Sequence, residues 1–150
     1  MNTTLSASGH DLTPLSDEEK QQRAEHLTDE ERRILLNQGT EPPFCGGLLD
    51  NKEDGVYYCK LCELPLFAAN AKFESGTGWP SFFAPIADRV GTKRDFKMIL
   101  PRTEYHCARC SGHQGHVFKD GPAPTGLRYC NNGVALRFAP KGDPLPDLRT

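Results

Sequence analysis

Residues 104–118 read Glu104-Tyr105-His106-Cys107-Ala108-Arg109-Cys110-Ser111-Gly112-His113-Gln114-Gly115-His116-Val117-Phe118. A strand-like segment runs into a C-x-x-C pair, then a glycine-rich loop with two imidazoles, then the apolar end of another strand. The pair has a counterpart upstream, Cys59-Lys60-Leu61-Cys62, with 44 residues between them. Each pair lets two thiolates converge from one tight turn, and two such turns complete a tetrahedron around Zn2+. The spacing is longer than in a compact zinc ribbon, so the site is expected to pin two distant hairpins. Holding that loop closed offsets about 3 kcal/mol of chain entropy. Four sulfur ligands leave no open coordination position, so Cys59, Cys62, Cys107 and Cys110 are read as holding one structural zinc ion. A redox C-x-x-C pair belongs at a helix N-terminus in a βαβ context, and neither pair has that setting.

Working outward, short apolar segments alternate with glycine and proline from Gly46 onward. Val56–Tyr58, Lys72–Phe73, Ser81–Phe83, Val90, Phe96–Leu100, Glu104–His106, Val117–Phe118, Arg128–Cys130 and Ala135–Phe138 are expected to be strands or strand ends. Upstream, Ser16-Asp17-Glu18-Glu19 and Thr28-Asp29-Glu30-Glu31 have capping-box form. They predict helices over 17–25 and 29–37, the second stopping near Gly39. Glu41-Pro42-Pro43-Phe44 is extended, since proline disfavours helix at and before itself. The class is therefore mainly β with a short helical N-terminal extension. We divide the chain into a polar extension (1–27), a main domain (28–139) and a proline-rich tail (140–150).

A chain of 150 residues is the size of one domain. Its net charge of −2 and pI near 6.2 supply no cationic field for nucleic acid or anionic lipid. No apolar run approaches the ~20 residues of a membrane span. Met1–Asp11 lacks the form of a secretory signal. A cytoplasmic location, with reduced thiols, is the expectation, and no membrane or nucleic-acid partner.

Two cysteines, Cys45 and Cys130, remain outside the two pairs. Cys130 follows Arg128 by two positions, on the same face if the segment is extended, and precedes Asn131-Asn132-Gly133, a turn signal. It reads either as a nucleophile at a strand end or as a small buried hydrophobe. His113 and His116 read as proton donors, metal ligands or exposed loop histidines, with Asp120 available to orient one or hold it protonated. The single tryptophan sits in Glu74-Ser75-Gly76-Thr77-Gly78-Trp79-Pro80-Ser81, a loop context. Trp79 is either core or the apolar wall of a small pocket, suited to a methyl beside sulfur.

Together these stretches resemble the B-type methionine sulfoxide reductases, the peptide-methionine (R)-S-oxide reductases. The resemblance spans about Leu27 to Phe138. It rests on Gly39-Thr40-Glu41-Pro42-Pro43-Phe44, both C-x-x-C pairs, Lys72–Phe82, His113-Gln114-Gly115-His116-Val117-Phe118 with Asp120-Gly121-Pro122, and Leu127-Arg128-Tyr129-Cys130-Asn131-Asn132 with Ala135–Phe138. It implies two antiparallel β-sheets with the zinc far from the active site. It implies Cys130 as catalytic cysteine, Trp79 as receiver of the substrate's ε-methyl, and His113, His116, Asp120, Arg128 and Asn132 as the polar surround. Many members carry a recycling cysteine where this chain has Thr77, and Cys45 stands where others often have a hydroxyl residue. Cys45 is accordingly read as the recycling thiol, with a purely structural role as the alternative. The implied reaction forms a sulfenic acid on Cys130 and then a Cys45–Cys130 disulfide, reduced by thioredoxin; the substrates are proteins or peptides containing methionine-R-sulfoxide. Two rivals stand beside it. One is a zinc-ribbon-like interaction module without catalysis. The other is a metallohydrolase using the two histidines.

Overall fold

The computed structural model describes residues 15–37, 48–49, 51–86, 89–95 and 102–141. Two short helices come first, α1 (Asp17–Ala24) and α2 (Asp29–Asn37). Nine strands follow among the described residues: β1 (Gly55–Cys59), β2 (Pro65–Ala68), β3 (Lys72–Phe73), β4 (Ser81–Phe82), β5 (Val90–Asp95), β6 (Arg102–Cys107), β7 (His113–Phe118), β8 (Arg128–Asn131) and β9 (Leu136–Pro140). Every pairing is antiparallel. The strands form a three-stranded sheet, β2-β1-β9, and a six-stranded sheet, β3-β4-β8-β7-β6-β5. The mainly β class is what the strand pattern led us to expect, and the two antiparallel sheets are what the family resemblance implied.

Both capping boxes form. Ser16 Oγ accepts from the Glu19 amide at 3.1 Å and Thr28 Oγ1 from the Glu31 amide at 3.2 Å, each glutamate returning a bond to the cap's own N–H. The N-terminal segment looks polar, yet its few apolar side chains, Leu15, Ala24 and Leu27, are buried together with Ile34 and Leu35 of α2. Polar contacts fix the same docking. The Leu15 amide donates to the Arg109 carbonyl, Arg23 Nε donates to the Leu61 carbonyl, and Lys60 pairs with Glu31. The helices thus sit over the end of the molecule that carries the four paired cysteines.

Between the sheets lies an aromatic core. Phe67 stacks on Phe82 with centroids 4.1 Å apart, Tyr57 meets Phe82 edge-on at 5.1 Å, and Tyr105 meets Tyr129 at 5.2 Å. Offset and edge-on contacts of this kind add stability beyond the area they bury. Tyr105 is fully buried; its hydroxyl is satisfied by donating to Asn131 Oδ1 at 2.6 Å.

Four elements differ from the expectations, the first being β2 (Pro65–Ala68), a buried strand paired to β1 that was not expected from the sequence. Residues 113–116 are not a glycine-rich loop but the first part of β7, extended by pairing to β6 and β8 on both sides. Val90 begins a six-residue strand; β5 is an edge strand whose Thr92, Lys93 and Arg94 are exposed, so it carries no apolar alternation. Gly133–Ala135 form a 3-10 turn, so β9 starts at Leu136 and runs to Pro140. The expected strand at 96–100 and extended stretch at 41–44 lie outside the described residues. No described helix is long and apolar enough to cross a membrane.

Candidate active site

Strand register collects the chemistry on one face of the larger sheet. Residues directly opposite in an antiparallel pair share a face, and alternate residues return to it. Glu104 lies opposite His116, His116 opposite Cys130, and Cys130 opposite Ser81. His113 and His116 are three apart, which in a regular strand would put them on opposite faces. The β6–β7 pairing is irregular here: Tyr105 faces Gly115 while His106 faces His113, leaving Gln114 as an extra residue. That bulge brings both imidazoles to the Cys130 side, where their rings meet at 5.5 Å and 70°.

The bulged residue is clamped. The Gln114 carbonyl accepts from both the amide and Nδ2 of Asn132, and its side-chain oxygen accepts from Asn131 Nδ2 at 3.2 Å. Gly115 must be glycine, because a Cβ there would fall 1.9 Å from the Cys130 carbonyl oxygen.

In front of this face is a cavity of about 230 Å³ lined by Cys130, Trp79, His116, Arg128, Asn131 and Asn132, with Thr77, Phe118, Gly115 and Arg102 completing the wall. Trp79 reaches it from the loop between β3 and β4. Gly76 and Gly78 take φ of 75° and 88° there, a left-handed conformation that favours glycine. A chain of hydroxyls stiffens the loop: Ser81 to Ser75 and Ser75 to Thr77, each at 2.8 Å, ending with Thr77 Oγ1 3.8 Å from Cys130 Sγ. Burial pushes the Cys130 thiol above its ordinary range, and the Thr77 hydroxyl, the Arg128 charge and Ser81 pull it back only in part. The balance of these effects favours the thiol form of Cys130 over the thiolate.

Arg128 lies over the Phe118 ring at 4.3 Å and grips Asp120 with two bonds, Nε to Oδ1 at 2.9 Å and Nη2 to Oδ2 at 3.1 Å. This fork holds the exposed Asp120 carboxyl below its usual range. Among the described residues the carboxylate beside the imidazole pair is instead Glu104, 3.6 Å from His113 Nδ1. Asp120 borders a second depression that shares Thr77 and Arg128 with the first. His113 is buried behind His116 and does not line the cavity. Cys45 lies outside the described residues. Arg102, Glu104 and Gln114 were not apparent as site residues from the sequence, because only strand register and the bulge bring them here.

The paired cysteines form a separate cluster that shares no residue with the cavity lining. Their four sulfurs lie within 4.8 Å of one another, all buried. The two turns are near copies. The Cys59 amide donates to the Leu64 carbonyl and that of Glu63 returns to Cys59; Cys107 does the same with Gly112 and Ser111. Glu63 and Ser111, each just after the second cysteine, take φ of 67° and 61°. The Gly112 amide points at Cys110 Sγ (3.3 Å) and Gln114 Nε2 at Cys59 Sγ (3.4 Å). N–H groups aimed at sulfur stabilise thiolate, so this donor set suits a thiophilic cation.

Compared with known proteins, residues 27–140 match the model of the SelR domain. Relatives named peptide methionine sulfoxide reductase MsrB include one from Caulobacter vibrioides, 59% identical over 145 residues, or 96% of this chain and 91% of that protein. Another, from Xylella fastidiosa, is 54% identical over 148 residues, covering 98% and 92% of the two chains. A third, from Methanosarcina barkeri, is 55% identical over 113 residues, covering 75% and 80%.

Proposed function

The chain belongs to the MsrB family of methionine sulfoxide reductases, and we propose that it reduces the R epimer of methionine sulfoxide in proteins and peptides, with Cys130 as the nucleophile. One observation carries the proposal: Cys130, the partly exposed thiol among the described cysteines, opens into the same cavity as Trp79, His116 and Arg128. Sulfoxide sulfur is a poor electrophile until its oxygen accepts a proton. Because burial keeps Cys130 protonated, the thiol itself supplies that proton. His116, opposite Cys130 in the strand pair, takes it as the sulfur attacks and passes it to the sulfoxide oxygen.

The step balances without an external reductant. The Cys130 thiol and a dialkyl sulfoxide become a Cys130 sulfenic acid and a dialkyl sulfide. Substrate sulfur gains two electrons, Cys130 loses two, and the oxygen with the thiol proton ends on Cys130. Trp79 holds the ε-methyl, which leaves only the R oxygen facing His116. Arg128, anchored by Asp120, offers a cation beside the developing thiolate. Asn132 holds the turn that carries Cys130. His113 stands behind His116.

Turnover then needs a second thiol. Cys45 condenses with the sulfenic acid, water leaves, and thioredoxin reduces the disulfide by exchange.

Cys59, Cys62, Cys107 and Cys110 are assigned to one zinc ion. Saturated by sulfur, it supplies no chemistry to the reaction and serves to hold the two turns together. Two variants test the assignment. Cys130→Ser is expected to abolish methionine formation from the R epimer, and retained turnover would move the nucleophile elsewhere. Cys45→Ser is expected to give one turnover per enzyme and then stop with thioredoxin. Normal cycling of that variant would remove Cys45 from the scheme.

A further inference from the structure

The imidazole pair is backed by a buried carboxylate. Glu104 of β6 stands opposite His116 of β7 on one side and Lys93 of β5 on the other. Its side chain is 3% exposed; Oε1 lies 3.2 Å from Lys93 Nζ, on a lysine 54% exposed, and Oε2 lies 3.6 Å from His113 Nδ1. His113 in turn meets His116 edge-on. Lysine, carboxylate, imidazole and imidazole thus form a row from the solvent edge of the sheet to the cavity of Cys130.

Resting on the reductase reading above, we propose that Glu104 is a positioning residue: it orients His113 and keeps it cationic, so that His116 remains the neutral base that relays the thiol proton. A carboxylate this deep requires cationic company, because losing its water without a partner is costly. Lys93 lies at one oxygen from the solvent side, and His113 lies at the other. At such distances, away from bulk water, a negative charge favours imidazolium over imidazole. A charged His113 then opposes a second charge on the adjacent ring, so His116 rests neutral and, once it has taken the thiol proton, gives it up readily to the sulfoxide oxygen.

Other groups on this face are Arg102 and His106 of β6 and Arg128 and Cys130 of β8. Helix α2, which also packs on β7, buries Ile34 and Leu35, while its charges pair as Arg32–Asp29, Arg33–Glu30 and Glu31–Lys60. Among the described residues, Glu104 is therefore the acidic neighbour positioned to hold the proton on His113.

The test uses the full-length, metal-loaded protein with labelled histidine. Glu104→Gln is expected to lower the NMR titration midpoint of His113 and to move the acid limb of kcat to higher pH. It should also lower kcat about tenfold with KM little changed, less than the ~10²–10⁴-fold of a group that itself transfers the proton. Glu104→Asp should restore part of kcat. Lys93→Met, a change at a half-exposed edge position, should raise the His113 midpoint, and it remains informative if Glu104→Gln fails to fold. A folded Glu104→Gln protein with the unmodified midpoint and acid limb would overturn the proposal, as would Lys93→Met moving the midpoint downward. If the unmodified protein does not reduce the R-sulfoxide at all, the reductase reading fails, and the NMR midpoints still judge the role of Glu104.

Discussion

At the scale of single residues, the protonation of Cys130 decides how the site works. Its thiol is raised by burial, against the pull of Thr77, Arg128 and Ser81. A raised pKa means less thiolate at any given pH, so alkylation of the resting enzyme by iodoacetamide should be slow near neutrality. Its rate should climb with a midpoint above that of an ordinary thiol. Arg128→Met removes a charge that favours thiolate and should move the midpoint higher still. A midpoint below the ordinary thiol range would contradict the base role given to His116. Thr77 supplies a second prediction. Its Oγ1 is 3.8 Å from Cys130 Sγ, so a sulfur there needs only a short approach to the ~2.05 Å of a disulfide. The double variant Cys45→Ser, Thr77→Cys should therefore recover thioredoxin-driven cycling that Cys45→Ser alone lacks, read as methionine formed per enzyme.

At the scale of elements, the two imidazoles owe their common face to one extra residue. Sequence alone places His113 and His116 near each other but does not place them on a strand, because Gly112 and Gly115 suggest a loop and a spacing of three violates strand alternation. The bulge at Gln114 resolves the conflict. Glu104 was illegible for a related reason. Its partners lie on neighbouring strands, and register between strands is not written in any local pattern. Trp79, by contrast, was legible in context: glycine on one side and proline on the other put it in a loop, and it lines the cavity. The four-cysteine cluster was legible because two matched spacings leave few other uses for four cysteines.

The prediction belonging to this scale is Gly115→Ala. Its Cβ would collide with the backbone carbonyl of Cys130, and backbone cannot yield as a side-chain tip can. Either β7 and β8 separate or Cys130 shifts. We expect a loss of a few kcal/mol in denaturant unfolding, with kcat falling further than stability alone explains. Wild-type behaviour in both measurements would mean that the β7–β8 register is not as described.

At the scale of the molecule, the four-cysteine cluster and Cys130 belong to separate sites that share a hydrogen-bond path. Tyr105 donates to Asn131, Asn131 to Gln114, and Gln114 to Cys59 Sγ. Asn131 adjoins Cys130, so the turn that holds Cys59 and the strand that holds Cys130 are braced by the same side chains. The energetics make the cluster dominant. A structural zinc site contributes an apparent ~10–16 kcal/mol at neutral pH, as much as the whole ~5–15 kcal/mol stability of a typical domain. Metal removal should therefore unfold the protein instead of merely slowing it. We expect a strong chelator at elevated temperature to release one zinc per chain and abolish cooperative melting and sulfoxide reduction together, with Cys110→Ser expressing as an unstable, metal-poor protein. Cys130→Ser should keep its zinc and its melting temperature, since that thiol lies outside the cluster. Gln114→Ala should fall between the two: metal retained, and melting lowered by the ~1–3 kcal/mol that unpaired buried polar groups cost. A chelated protein that loses its zinc but still melts cooperatively at the original temperature would show that the sheets, and not the ion, hold the 44-residue loop closed.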